Sequence, residues 1–210
     1  MPWRFDPQRV EWVDETYPGR RLDLSGAADL VDALIDAASD DEVDELLEML
    51  GDEPDEEAVA RWKRGFWALL KGLYVALALV AAAGALTLLD WEAVQILLLI
   101  QLEYLDRFAQ EVASGAVSRA EARRRMRMYV NSARSSFWRV LDRQMREAGY
   151  DEERWHAIGD ANTCSPCWEG DMMGWQPIGT FAEPGSGYVL REPTTECQGL
   201  SNCRCRKSYR

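Results

Sequence analysis

The sequence predicts a mainly α protein: a multi-helix body with long apolar central helices, then a small irregular cysteine-rich C-terminal module with room for short β-strands. Three observations predict it. Apolar residues recur at helical spacing from about residue 25 to residue 148. Two apolar stretches follow one another near the middle of the chain. All five cysteines lie at or after Cys164, in a stretch rich in Gly, Pro, Ser and Thr that lacks helical period.

The 210 residues, 47% of them hydrophobic, suffice for a buried core in one or two domains and exclude a disordered chain. Three segments follow from the composition shifts: an acidic N-terminal segment with two short helices (1–53), a helical body (54–150) and a cysteine-rich, zinc-binding-like module (151–210). The formal net charge of -12 is unevenly spread, because residues 1–60 hold the whole excess while Arg119, Arg123, Arg124, Arg125 and Arg127 make a later helix basic. Such asymmetry suggests contacts between an acidic patch on one copy and a basic patch on another, the alternative being two solvated helix faces.

Taken in order, Ser25 precedes Leu30, Val31, Leu34 and Ile35, one stripe of a first helix. Ser39 and Glu42 have capping-box spacing for a second, which carries Val43, Leu46, Leu47 and Leu50 before Gly51 stops it. Beyond Pro54 an acidic first turn opens a long helix from about Ala58 to Leu89. Within it residues 72–89 carry no charge, and roughly 18 such residues are the lower limit for crossing a bilayer. Lys71 and Asp90 bound the run, it is rich in alanine, and a second apolar helix follows at once, so burial in a bundle or an oligomer is the preferred reading over a membrane span.

Asp90 is placed to cap that next helix, through Trp91, Val94, Leu98, Leu105 and Phe108 to a stop at Gly115. Ser118 and Glu121 open another, expected to reach about Ala148, with Met126, Tyr129, Val130, Ala133, Phe137, Val140 and Leu141 on its buried face and Gly149 closing it.

The tail reads Cys164-Ser-Pro-Cys167, about thirty residues, then Cys197 and the Cys203-Arg-Cys205 end. A C-x-x-C turn lets one tetrahedral ion take both thiolates at about 2.3 Å, and a second cysteine group supplies the remaining ligands. Zinc is the first expectation for thiolate ligands without a redox partner. Four of Cys164, Cys167, Cys197, Cys203 and Cys205 are expected as ligands, with Cys164 and Cys167 the firmest pair and Cys197 and Cys205 competing for the last place. Disulfides and free thiols are the alternatives. A thioredoxin-like motif lacks the preceding βαβ pattern. Trp155, Trp168, Trp175, Phe181 and Tyr188 are expected to pack over the clamp. Their rival use is stacking on bases, with Arg204, Arg206, Lys207 and Arg210 on phosphates.

His156 is the single histidine, so a nucleophilic triad would have to run through it, and its polar context suits a surface or packing residue better. No carboxylate spacing singles out a catalytic pair, and a non-enzymatic protein is expected. The first residues show no apolar run behind a basic stretch, so no cleavable secretion signal is expected and synthesis in a reducing cytoplasm is.

The stretch from Tyr104 to Gly115, the arginine-rich helix reaching Met128-Tyr129, and the ending from Asp160 through Tyr209 resemble the minor head, or head morphogenesis, proteins of tailed phages and prophages. The resemblance covers about residues 90–210 and is most specific in the C-x-x-C, in Trp175 to Thr180 and in the terminal C-R-C. It implies a structural virion component, made in the host cytoplasm and built in at the capsid, portal or neck. Its partners would be portal, major capsid or neck proteins, together with further copies of itself. Where that group ends in His-Pro-x-Cys-Arg-Cys, Leu200 stands in place of the histidine, which makes Cys197 the substitute ligand. Two other functions are carried as alternatives: a membrane-active virion protein inserted through residues 72–89 during genome entry, and a DNA-contacting internal head protein.

Overall fold

The computed structural model describes residues 3–6, 11–14, 21–51, 54–82, 84, 86–159, 163–184, 186, 188–190, 195–196 and 205–210. It is mainly helical with short strands near its C-terminal end. The chain opens with three strands, β1 (Trp3–Asp6), β2 (Glu11–Asp14) and β3 (Arg21–Asp23), paired antiparallel in that order. Segment 1–53 is expected to hold two short helices and no strand; the strands escape the sequence pattern because four-residue runs are too short for an alternation signal to stand out.

Helix α1 (Leu24–Ala37) runs directly into a π-helical turn, Ala38–Glu42, and on into α2 (Val43–Glu48). The expected Ser39 cap does not form: residues 37, 42 and 43 are all helical, so no chain reversal exposes the amides that a cap would serve. Gly51 stops the unit at φ +68°, as expected.

Helix α3 (Glu56–Ala81) starts where the Asp55 side chain accepts the Ala58 N–H at 2.7 Å. It ends at Ala81 rather than near Leu89, and α4 (Leu88–Ala113) begins seven residues later. The physical reason is a capping box. Thr87 Oγ1 accepts the Asp90 N–H at 3.3 Å while Asp90 Oδ2 accepts the Thr87 N–H at 2.8 Å, and Gly84 adopts φ +88° in the turn. Thr87 is therefore the cap and Asp90 the third helical residue, correcting the assignment of Asp90 as cap. The uncharged run 72–89 is split between two helices. By length and composition alone α3 could cross a membrane, but one side of it, Trp62, Phe66, Leu70, Tyr74 and Leu77, is buried in the core.

The single helix expected from Ser118 to Ala148 is two, α5 (Arg119–Ser132) and α6 (Arg134–Glu147). Ser132 Oγ donates to Tyr129 O, Ser135 Oγ to Ser132 O and Ser136 Oγ to Ala133 O. Hydroxyls bonded back onto the preceding turn bend helices, and three of them flank this break. Ser136 Oγ also reaches Tyr74 O on α3, which fixes the direction α6 takes. Ser118 caps α5 through the Glu121 N–H, and Gly149 closes α6 at φ +92°.

α3 is the central element, packed against α4 and α6. Trp62, Phe66, Phe108 and Tyr129 form an aromatic group with centroid separations of 5.4 to 5.9 Å, and the Arg125 guanidinium lies 4.3 Å over Phe108.

The acidic front and the basic helix meet inside one chain. Arg123 pairs with Asp44 at 2.7 Å, Arg127 Nε donates to Ser39 O, and Arg134 pairs with Asp32. Arg124 and Arg125 bind Glu121 and Glu111 within their own neighbourhood.

Candidate functional site: the cysteine module and its buried charges

The C-terminal part is built on a small antiparallel sheet in the order β5 (Trp175–Pro177), β4 (Glu152–His156), β8 (Arg206–Tyr209), with α7 (Ser165–Met172) against it. A two-stranded pair, β6 (Tyr188–Leu190) and β7 (Thr195–Glu196), lies beyond, β6 against α7. Strand alternation decides which side chains turn inward. On β4 these are Glu153 and Trp155; on β8 they are Lys207 and Tyr209.

Trp155, Cys167, Phe181, Val189 and Cys205 form a second small apolar core, with Cys164 packed against its edge. Cys164 sits at the N-cap of α7 and Cys167 three residues on, Pro166 falling in the first turn where its missing N–H costs nothing. The two Sγ atoms are 3.2 Å apart, longer than the roughly 2.05 Å of a disulfide bond. Cys205 immediately precedes β8 and is buried. The structure thus gathers Cys164, Cys167 and Cys205 around one core, whereas Cys197 and Cys203 lie outside the described residues. Among the described residues no three potential ligands are grouped closely enough to hold a metal.

The predicted aromatic cover divides. Trp155 and Phe181 are fully buried with centroids 5.9 Å apart. Trp168 and Tyr188 are exposed, and Trp175 is half-buried beneath the Arg210 guanidinium at 4.7 Å. The close approach of α7 requires a glycine, because a Cβ at Gly170 would stand 2.7 Å from Val189 Cγ1 and 3.3 Å from Trp155 Cδ1.

Beneath the sheet lies a cluster of charges that sequence reasoning missed. Lys207 Nζ donates to both oxygens of Asp142 at 2.8 Å and to Glu153 Oε2 at 2.6 Å. Glu153 Oε1 accepts the Gly179 and Phe181 N–H groups, each at 2.8 Å, and the Tyr209 hydroxyl donates to Asp142 Oδ1. Burial, with the Asp142 carboxylate beside it, pushes the Tyr209 hydroxyl well above its ordinary pKa of 10, so it remains a donor. Asp142 belongs to α6, Glu153 to β4 and Lys207 to β8, so the cluster joins the last body helix to both strands. A buried charge is tolerated only when paired and hydrogen-bonded, and here each has more than one partner.

Contacts at the edge of the cluster reinforce the joint. Arg139 pairs with Glu183 at 2.9 Å, Arg206 with Asp29 and Asp32 on α1 at 2.6 and 3.0 Å, and Arg146 donates to Ile178 O. Lys207, read from sequence as part of a basic phosphate-contacting end, is wholly buried, while Arg206 and Arg210 bind Asp29, Asp32 and Glu152. Arg204 lies outside the described residues.

His156 Nε2 lies 2.7 Å from Ser208 Oγ across the β4–β8 pair. Burial and the neighbouring Arg154 charge hold the imidazole below its ordinary value of 6.5, which keeps it neutral near pH 7. It is half-buried and packs as part of the sheet.

One sequence cue to the charge cluster existed. Glu153 alternates with Trp155, and Lys207 with Tyr209, so each charge shares a strand face with a large aromatic. Nothing local marked Asp142 as the partner. Compared with protein-family models, with characterised proteins and with solved structures, the chain matches none.

Proposed function

We propose that this chain is a non-enzymatic structural component of a tailed-phage particle, a minor head protein whose zinc-stabilised C-terminal module contacts a neighbouring virion protein. The family resemblance of residues 90–210 supplies the virion role. The structural support is the manner of attachment: no side chain of the Asp142–Lys207–Glu153 cluster is more than 4% exposed. Ionisable groups so placed serve as a clamp between parts of a fold, whereas catalytic groups must reach a substrate.

Four of Cys164, Cys167, Cys197, Cys203 and Cys205 would hold the zinc ion, with Cys164 and Cys167 as the firmest pair and Cys197 and Cys205 competing for the last place. The soft thiolate set suits that metal, and the sharing of one small core by three cysteines supports the assignment. Zinc would supply a cross-link in a segment too small to be ordered by apolar burial alone. Outward from the clamp, α7 presents Trp168 and Met172, 44% and 76% exposed, a surface suited to contact with a portal, capsid or neck protein. Mass spectrometry of purified particles and of assembly intermediates tests the reading. The chain is expected in both, and its absence from both removes the proposal.

A further inference from the structure

Between residues 68 and 100 the exposed side of the α3–α4 hairpin carries few charges. On α4, Leu88, Leu89, Ile96, Leu99 and Ile100 are between 44% and 75% exposed. At 100° per residue they fall on one side of the helix, opposite Val94 and Leu105, which face the core. Next to this ridge runs an apolar groove of about 600 Å³, walled by Val75 and Leu79 of α3 and by Trp91 and Leu98 of α4. Its α3 side also carries Ala68, Gly72 and Ala76, one above another at four-residue spacing. A Cβ at Gly72 would meet nothing within 4 Å.

Two charges stand on this surface, Lys71 in the α3 wall of the groove and Glu92 among the ridge residues of α4, both exposed and opposite in sign. Among the described residues neither makes an ion pair within the chain.

We propose that a second copy of this chain docks here about a twofold axis, the Ile96–Leu99–Ile100 ridge of each copy seated in the groove of the other. A closed twofold pair requires one self-complementary surface, and a ridge beside a groove of matching polarity is such a surface. Small residues along α3 let a partner helix approach closely, and the crossed arrangement brings Lys71 of one copy toward Glu92 of the other. With Trp91, 39% exposed beside the groove, the ridge gives the interface an apolar centre. Lipid is the poorer occupant, since residues 88–100 extend only about 20 Å along the axis against a bilayer core of about 30 Å. Glu92 and the Arg143–Glu147 pair also stand near the tip of the hairpin. The inference makes the expected self-association specific and does not depend on the virion reading.

Sedimentation equilibrium of the purified full chain over a concentration series tests it without any phage particle. The wild-type chain is expected at twice the monomer mass. Ile96→Glu and, separately, Gly72→Leu, whose Cβ meets nothing within 4 Å, are expected to give monomers with unchanged circular dichroism. Lys71→Glu should weaken the dimer, and adding Glu92→Lys should restore it. A wild-type monomer at every concentration overturns the proposal. So does a dimer that both Ile96→Glu and Gly72→Leu leave intact, an assembly larger than two, or a monomer that floats with phosphatidylcholine–phosphatidylglycerol vesicles.

Discussion

Lys207 Nζ lies 2.6 Å from Glu153 Oε2, and neither side chain has any solvent exposure. With Asp142 on the far side, the pair ties the end of the chain to the last helix of the body.

Lys207→Met is expected to destabilise the protein by about 3–5 kcal/mol, because it leaves two buried carboxylates without their cation. Adding Asp142→Asn and Glu153→Gln to Lys207→Met should recover part of that loss, because the neutral amide oxygens still accept the Tyr209, Gly179 and Phe181 hydrogens without a buried net charge. Urea unfolding of both variants checks this, and equal losses would mean that the charges act only through their volume.

Gly170→Ala should loosen the module selectively. The added methyl would meet Val189 Cγ1 at 2.7 Å and the Trp155 ring, so α7 must shift away from β4 and β6. A loss of about 1–3 kcal/mol is expected, together with faster amide exchange in β4 and β6 than in α3.

Zinc analysis of the purified chain is expected to give one ion per chain. Serine replacement of Cys164, Cys167 or Cys203 should abolish binding, while of Cys197 and Cys205 one change should matter and the other should not. A chelator should disorder residues 151–210 and leave the helical signal of the body. Full protection of the module in the chelator, with no bound zinc beforehand, would remove the metal from the account.

His156 makes stability depend on pH in one direction. Its folded pKa is below 6.5, so in the acid range the unfolded chain binds the proton more readily. The stability is full above pH 6.5 and is lost as pH falls through the lower folded value. His156→Gln should flatten this acid slope, as followed by thermal unfolding between pH 7 and pH 5. An unchanged slope would exclude the imidazole as its source.

Much of the helical body is legible in the residues. The stripe Val43, Leu46, Leu47 is buried as read, as are Met126, Val130, Phe137, Val140 and Leu141, because a 3.6-residue period is a local property of the chain. Gly51, Gly115 and Gly149 stop helices where expected, because φ above zero is a local preference as well. The misread boundaries have competing local solutions. Thr87 with Asp90 and Ser39 with Glu42 have the same spacing, yet only the first becomes a cap. The difference is whether the chain turns there, and packing decides that.

The sequence by itself therefore determined the helical class, the stops and the confinement of the cysteines to one irregular tail, since period, backbone freedom and composition act over a few residues. Only the tertiary structure decided that Arg123 spends its charge on Asp44 and that Lys207 is buried between Asp142 and Glu153 rather than offered to a partner. The partners are separated by 65 and 54 residues from Lys207. A charge looks the same in the sequence whether it faces water or a carboxylate brought from far along the chain, and only folding distinguishes the two.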